Sequence, residues 1–456
     1  MSIKKLYRIA ERFLREPGNK RKRDLLRITS VIIMSILLAG VGHFLFSGEM
    51  GPDTGISPEN SPSGSGVIPS GPADGGGTRY NIKDHVRYTH RSEVINRAKQ
   101  EINILEVGPS LSGVRIQPVL SHDLIYGFEK LSVMAARKNA YAAVTGGFFS
   151  QYGLPAGMVM IGGELITAST GEYPVFIVDN GKAVLREIKS RLTIEYVRGK
   201  DRAGESDNGI AGNEGNQGRS GTRDGTGGNA GIFGIGGASG SGSVPVDVLN
   251  LPAAGKETAV YTPVYGIYNR AGKSNITATV ENGAVTDISF YYGEAEIPEN
   301  GMLITFFETE KYDGDEIPLR VGDRVKLSHE PAMESGADAY ECGCRLVKDG
   351  KIVAPLKDPW VGVLTNRDPR TAVGIKKDGT VILLTVDGRQ SGYSAGFTGK
   401  ELAEYMIACG AENAAMLDGG ASAEMLVEGK LVSRPSYKGE ERELGGGLLV
   451  LSANQK

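Results

Sequence analysis

The chain has 456 residues, of which 40% are hydrophobic and 23% charged, proportions that suit a folded protein and a length that allows two or three average domains. A formal net charge of −3 excludes a global basic field that would draw the chain to nucleic acid. Three cysteines are too few for a disulfide scaffold, and with only five histidines to accompany them, Cys342, Cys344 and Cys409 read as structural.

Residues 1–27 form a basic tail that carries Lys4, Lys5, Arg8, Arg12, Arg15, Lys20, Arg21, Lys22, Arg23 and Arg27. Residues 28–46 contain no charged side chain. At about 1.5 Å rise per residue, a helix of that length just crosses a hydrocarbon layer of about 30 Å. Bases before it and acids after it predict a single-pass anchor in the cell membrane, with a cytoplasmic N-terminus and an extracytoplasmic remainder. The long basic region and the lack of a small-residue cleavage site favour an uncleaved anchor over a signal peptide. Residues 47–79, rich in Gly, Pro and Ser, read as a flexible linker.

From residue 80 to 456 the pattern predicts one globular domain of mixed α/β (α+β) type around a mixed sheet. Spacing predicts a helix over 92–101. Short β-branched or apolar runs predict strands at 139–144, 175–178, 259–265 and 303–307. The Gly- and Ser-rich stretch 199–243 is expected to be a disordered insertion, since it holds too little apolar surface to offset its ordering entropy. Asn275, Ile276 and Thr277 match a glycosylation acceptor, a pattern common by chance.

The chemistry concentrates further on. Thr371 to Ile375 and the run 381–386 (VILLTV) predict a hairpin around Lys377-Asp378-Gly379. The second of these strands is apolar throughout, as for a strand covered on both faces, and ends at Asp387-Gly388-Arg389. Thr398 and Glu401 form a capping box for a helix whose apolar face is Leu402, Tyr405, Met406 and Cys409, closed by Gly410. The run 414–417 (AAML) then ends at Asp418-Gly419-Gly420. A strand–helix–strand crossover returns its second strand in the direction of the first, so Asp387 and Asp418 are expected at one sheet edge, with Arg370 and Arg389 near both. Two arginines beside two carboxylates suit an anionic substrate whose bond needs acid or base help. A structural salt bridge is the alternative on spacing alone.

These residues resemble the phosphodiester glycosidase family. The matching motifs are Pro369-Arg370-Thr371-Ala372-Val373-Gly374, Val386-Asp387-Gly388-Arg389 with Ser391 and Gly392, and Leu417-Asp418-Gly419-Gly420-Ala421-Ser422. A weaker match is Thr145-Gly146-Gly147-Phe148-Phe149. The resemblance covers about 366–450 and reaches back to roughly 140. It departs at Thr145, where the family usually has Asn, and at Ala421, where it often has Gly. It implies a hydrolase that cleaves the bond from a sugar C1 to a phosphate oxygen, while the expected location outside the membrane fits a carbohydrate or phosphate-linked glycan such as an envelope exopolysaccharide as its substrate. Asp387 or Asp418 would be base or nucleophile. Arg370 and Arg389 would hold the phosphate, with Thr371, Ser391, Gly419, Gly420, Ser422, Thr145, Gly146 and Phe148 around the substrate. No cofactor is required, and a divalent cation held by Asp387 and Asp418 is an alternative use of the two acids. A module that binds such a glycan without cleaving it, or a phosphodiesterase that breaks P–O, are the competing functions.

Overall fold

A computed structural model describes residues 82–109, 113–199, 240–253, 257–307 and 317–453. The basic tail, the apolar segment 28–46, the linker 47–79 and all but the ends of the 199–243 insertion lie outside these residues. No helix among the described residues is long and apolar enough to cross a membrane.

The site stands on a seven-stranded sheet whose order runs Val86–Ile95, Ala98–Val107, Val381–Val386, Arg370–Lys376, Ala411–Leu417, Arg345–Lys348, Lys351–Ile352. The strand Val381–Val386 is buried at all six positions, because both sheet faces are covered. Ile382, Leu384 and Val386 join Ala372, Ala414 and Met416 beneath Leu402, Ala403 and Met406 of the helix Gly399–Ala408. Val381, Leu383, Val373, Ile375, Ala415 and Leu417 point the other way, into a core with Ile116, Val144, Leu448 and Val450. Those partners belong to a second, five-stranded sheet built on Gly446–Ser452 between Val114–Leu120 and Ala142–Thr145. The helix has the expected start, with the reciprocal Thr398–Glu401 capping box, and Gly410 follows its end at φ 93°, a conformation that costs glycine little. The described fold also holds a third sheet of five strands, an eight-stranded sheet with its own core around Ile194, Ala278 and Ile304, and two two-stranded ladders.

Several expectations change. The mixed α/β (α+β) reading holds in part: helices and strands are both present, but antiparallel sheets dominate, with two α-helices among the described residues. A parallel ladder is found there between Val248–Leu249 and Thr258–Tyr261. Residues 92–101 are not helical: they form the turn and inner ends of a hairpin, Val86–Ile95 against Ala98–Val107. Asn96 and Arg97 sit at φ 48° and 64°, the left-handed pair that a two-residue hairpin turn requires. The expected strand 259–265 stops at Tyr261, and Pro263–Tyr265 is a 3-10 turn. The strands 139–144, 175–178 and 303–307 appear with shifted bounds as Ala142–Thr145, Thr170–Asp179 and Gly301–Phe306.

The insertion begins and ends in one ladder. Val197 pairs with Ser241, and the Arg198 N–H donates to the Gly240 carbonyl at 2.8 Å. Residues 241–243, placed in the insertion by composition, are therefore strand. Asn275 is fully buried and its amide donates to the Lys273 and Gly293 carbonyls at 2.9 and 2.8 Å, so it is no glycosylation acceptor. Cys342 and Cys344 are buried free thiols, and burial pushes the Cys342 thiol up to about 12, as for inert core cysteines.

Candidate active site

The crossover from Val381–Val386 through the helix to Ala411–Leu417 leaves room for one strand. Arg370–Lys376 fills it, antiparallel to both neighbours. Arg370 pairs with Val386 on one side and Thr371 with Leu417 on the other. The start of this strand and the ends of its neighbours thus share one sheet edge, and Asp387, Arg370 and Asp418 all lie there.

The two acids nevertheless face apart. Val386 belongs to the helix-side core and Leu417 to the opposite one. With side chains alternating along a strand, the residues that follow them point to opposite faces. Asp418 lines a cavity of about 410 Å³ together with Asp368, Arg370, Arg389 and Arg442. Phe148, Phe149 and Trp360 form its aromatic wall, and Gly419 to Ser422 its rim. Asp387 is 2% exposed and does not line it.

Within the cavity each charged group has a defined holder. Burial raises the Asp418 carboxyl to about 6, opposed by the Ser422 hydroxyl, the Gly419 N–H and the nearby Arg442. The Gly419 N–H donates to Asp418 Oδ1 at 2.8 Å. Arg370 is buried, and its guanidinium donates to the Phe397 and Asn366 carbonyls, both at 3.1 Å. Asp368 bridges the two family arginines, with Oδ1 2.7 Å from Arg389 Nε and Oδ2 3.5 Å from Arg370. Arg389 reaches over Gly420, where a Cβ would lie 3.3 Å from its guanidinium. Three guanidiniums face two carboxylates, which leaves one net positive charge when Asp418 is ionised. A phosphodiester monoanion balances it.

Other expected roles move outside the cavity. Asp387 Oδ2 accepts from the Tyr393 hydroxyl at 3.1 Å and from the Arg434 N–H at 2.9 Å. Burial raises this carboxyl to about 7, and its Oδ1 is buried without a partner. Because the acids diverge, they do not converge on one cation. Among the described residues no group of three His, Cys, Asp or Glu side chains gathers elsewhere for a metal. Thr371 is fully buried, its hydroxyl unpartnered on the Asp387 side of the sheet. Ser391 is an exposed turn residue. Thr145 lies behind the cavity, donating its hydroxyl to the Ser422 carbonyl and accepting the Glu424 N–H at 3.0 Å. The Gly146 carbonyl accepts the Asp418 N–H at 2.9 Å, and a Cβ at Gly146 would meet Tyr340 at 2.9 Å. The Gly419 and Gly420 N–H groups are already engaged, with Asp418 and the Pro369 carbonyl, so they are not open donors. Phe148 both lines the cavity and packs in the core, its ring stacked on Trp360 at 6.1 Å.

Four wall residues, Asp368, Trp360, Val361 and Arg442, were given no site role from the sequence. Asp368 stands one place before the Pro369–Gly374 motif, whereas Phe149 closes the Thr145–Phe149 match and, with Phe148, reads from sequence as either a sugar-stacking ring or core. Trp360 is the single tryptophan of the chain, a signal that could have marked it. Arg442 carries no local signal.

Residues 274–451 match the family model for phosphodiester glycosidase, a longer stretch than the motifs at 366–450. A SPbeta prophage-derived uncharacterized protein of Bacillus subtilis (strain 168), YomE, is 31% identical over 146 residues, which are 30% of this chain and 22% of that protein. A crystal structure of a hypothetical protein from Synechocystis aligns with a TM-score of 0.59 and 19% identity, covering 80% of this chain and 62% of that one. A crystal structure from Burkholderia pseudomallei K96243 gives a TM-score of 0.56 and 23% identity over 78% and 74%. The two structures share the fold, and this chain spans less than two thirds of YomE and of the Synechocystis protein. The segment that matches the phosphodiester glycosidase model, 274–451, contains all five charged residues of the cavity.

Proposed function

We propose that this protein hydrolyses the bond between a sugar C1 and a phosphate oxygen, with Asp418 as the acting carboxylate. The observation that carries the reading is a cavity lined by three arginines and two carboxylates, of which Asp368 is paired with Arg389 and Arg370 while Asp418 is held by the Gly419 N–H and the Ser422 hydroxyl beside Arg442. The leaving group is a phosphate monoester with a second pKa of about 6, so it departs with little need of a proton. A single free carboxylate is then enough, which fits a site from which Asp387 has turned away. As the C1–O bond breaks, its electron pair goes to the phosphate, where Arg370, Arg389 and Arg442 meet the charge. Water supplies the new oxygen on C1. Asp418 either takes the water's proton or first bonds C1 itself. The wall of Phe148 and Trp360 offers apolar faces to the sugar.

The match of residues 274–451 to the phosphodiester glycosidase model supports the glycosidase-type chemistry. The uncharged segment 28–46 after a basic tail supports a membrane-anchored protein facing outward, and an envelope or exopolysaccharide glycan fits that location. Hydrolysis of a simple sugar-1-phosphodiester in isotopically labelled water tests the reaction. Label on the sugar is the expected result. Label on the phosphate would show P–O cleavage instead, and binding without products would leave a glycan-binding module.

A further inference from the structure

A second cavity, of about 540 Å³, is lined by Tyr126, Phe128, Tyr152, Leu154, Pro252 and Arg270. A ring from each lining meets across the space between the two cavities. Phe149 lines the Asp418 cavity, Phe128 lines the second, and the two rings meet edge to face at 5.8 Å. The second wall is largely apolar and aromatic, with Tyr152 64% and Phe128 37% exposed, surface that a folded chain ordinarily covers or uses. Arg270 is the exception in charge. Its guanidinium lies 3.9 Å from the Tyr126 ring and 5.8 Å from that of Tyr265, held by rings and by no carboxylate among the described residues. A cation fixed in this way keeps its donors for a ligand and loses little freedom when one binds.

The pocket is also preformed. The Gly127 N–H donates to the Tyr152 carbonyl at 2.8 Å. Gly153 sits at φ 83°, where a Cβ would be 1.9 Å from the Gly127 carbonyl oxygen. The two loops that carry Tyr126, Phe128, Tyr152 and Leu154 are thereby locked together.

We infer that this pocket is a second subsite, which holds the neighbouring sugar–phosphate unit of a chain-like substrate. The sugar lies on the exposed aromatic faces and its phosphate pairs with Arg270. This rests on the proposed hydrolysis only in the choice of ligand. An aromatic wall with an unneutralised arginine matches a unit that is apolar on its sugar face and anionic at its link. The contact of Phe149 with Phe128 places the two linings side by side, within reach of one chain, so the substrate is a polymer joined by repeated phosphodiesters and not an isolated small ester.

The test uses the full chain and two probes: a trimer of N-acetylglucosamine units joined by 1,6-phosphodiesters, and the corresponding single-unit methyl phosphodiester. Isothermal titration is expected to show the trimer binding at least about tenfold more tightly, as a second linked contact should. Arg270→Gln and Tyr152→Ala are each expected to weaken the trimer at least about fivefold and the single unit less than about twofold. Arg270→Lys should retain more affinity than Arg270→Gln. A trimer no tighter than the single unit, or indifferent to both variants, overturns the subsite whatever the turnover. Turnover is read separately. A trimer that binds through Arg270 and Tyr152 but is never cleaved would sustain the subsite while refuting the hydrolase.

Discussion

Asp418 and Asp387 each follow the last residue of a buried strand at the same sheet edge, yet they meet different surroundings. Asp418 opens on a cavity of arginines, with its carboxyl raised by burial to about 6. Asp387 is enclosed, raised to about 7, and engaged with Tyr393 and the Arg434 backbone. The sequence showed the strand ends but not the phase. VILLTV and AAML are apolar at every position because both faces are covered, and a run without alternation does not reveal which way the next residue points. Two outcomes separate the acids. Asp418→Asn should lower kcat at least about a thousandfold, and the wild-type kcat/KM should rise with pH through about 6 as Asp418 ionises. In Asp387→Asn that limb should stay near 6 and most activity should remain, because an amide oxygen still accepts from Tyr393 and Arg434. Stability supplies the second readout. A carboxyl whose pKa is raised in the folded state stabilises fully below its ordinary value of 3.8 and loses that contribution as pH rises through about 7. Asp387→Asn should therefore melt a few degrees higher than wild type at about pH 8, with the gain disappearing toward about pH 4. A melting gain that does not change with pH, or an acid limb that shifts to about 7 and disappears in Asp387→Asn, would return the catalytic role to Asp387.

Among the elements, the Arg370 strand, the Val381 strand and the capped helix were legible because local signals agreed: a turn residue set, an unbroken apolar run, a capping box and a glycine stop. The hairpin 86–107 was not. Its outer strand is polar and exposed at one edge, and its turn uses Asn96-Arg97 where a glycine would have announced it. These elements meet at Glu401. Its side chain caps the helix through the Thr398 N–H at 3.0 Å and takes Asn96 Nδ2 at 2.8 Å from the hairpin turn. It also takes Arg367 Nε at 3.0 Å from the segment leading to Arg370. Burial opposes ionisation here, but Arg367, Asn96 and the cap outweigh it and hold the carboxyl down to about 2. A depressed carboxyl contributes stability above its ordinary value of 4.5, and that contribution fades as pH falls through about 2. Glu401→Ala removes a cap and leaves Arg367 without its partner, a loss of about 2–3 kcal/mol near neutral pH. Because Arg367 leads directly into Arg370, substrate KM should rise as well. Thermal melts at about pH 7 and about pH 3 test this, with the deficit expected to be smaller at the lower pH.

At the scale of the whole molecule, composition marked residues 199–243 as outside the packed fold, and the described ends agree with an insertion within one sheet. The chain leaves the eight-stranded sheet after Val197 and re-enters at Ser241, its partner across the ladder. What could not be read was how many sheets surround the site, because their pairings join residues far apart in sequence, as Arg191 does with Glu330. The closed ladder at the insertion makes a direct prediction. Loop closure costs only about 0.6 kcal/mol per doubling of length, so replacing residues 200–239 with a short Asn-Gly-containing turn should preserve the pairing of Val197 with Ser241. The described residues that line the candidate cavity all lie elsewhere in the chain. The shortened protein should therefore melt within a few degrees of the full chain and keep kcat/KM within about twofold on a single-unit phosphodiester. A large fall in either would mean that residues 200–239 contact the sheets or the substrate, and that one ladder alone does not carry the fold across the insertion.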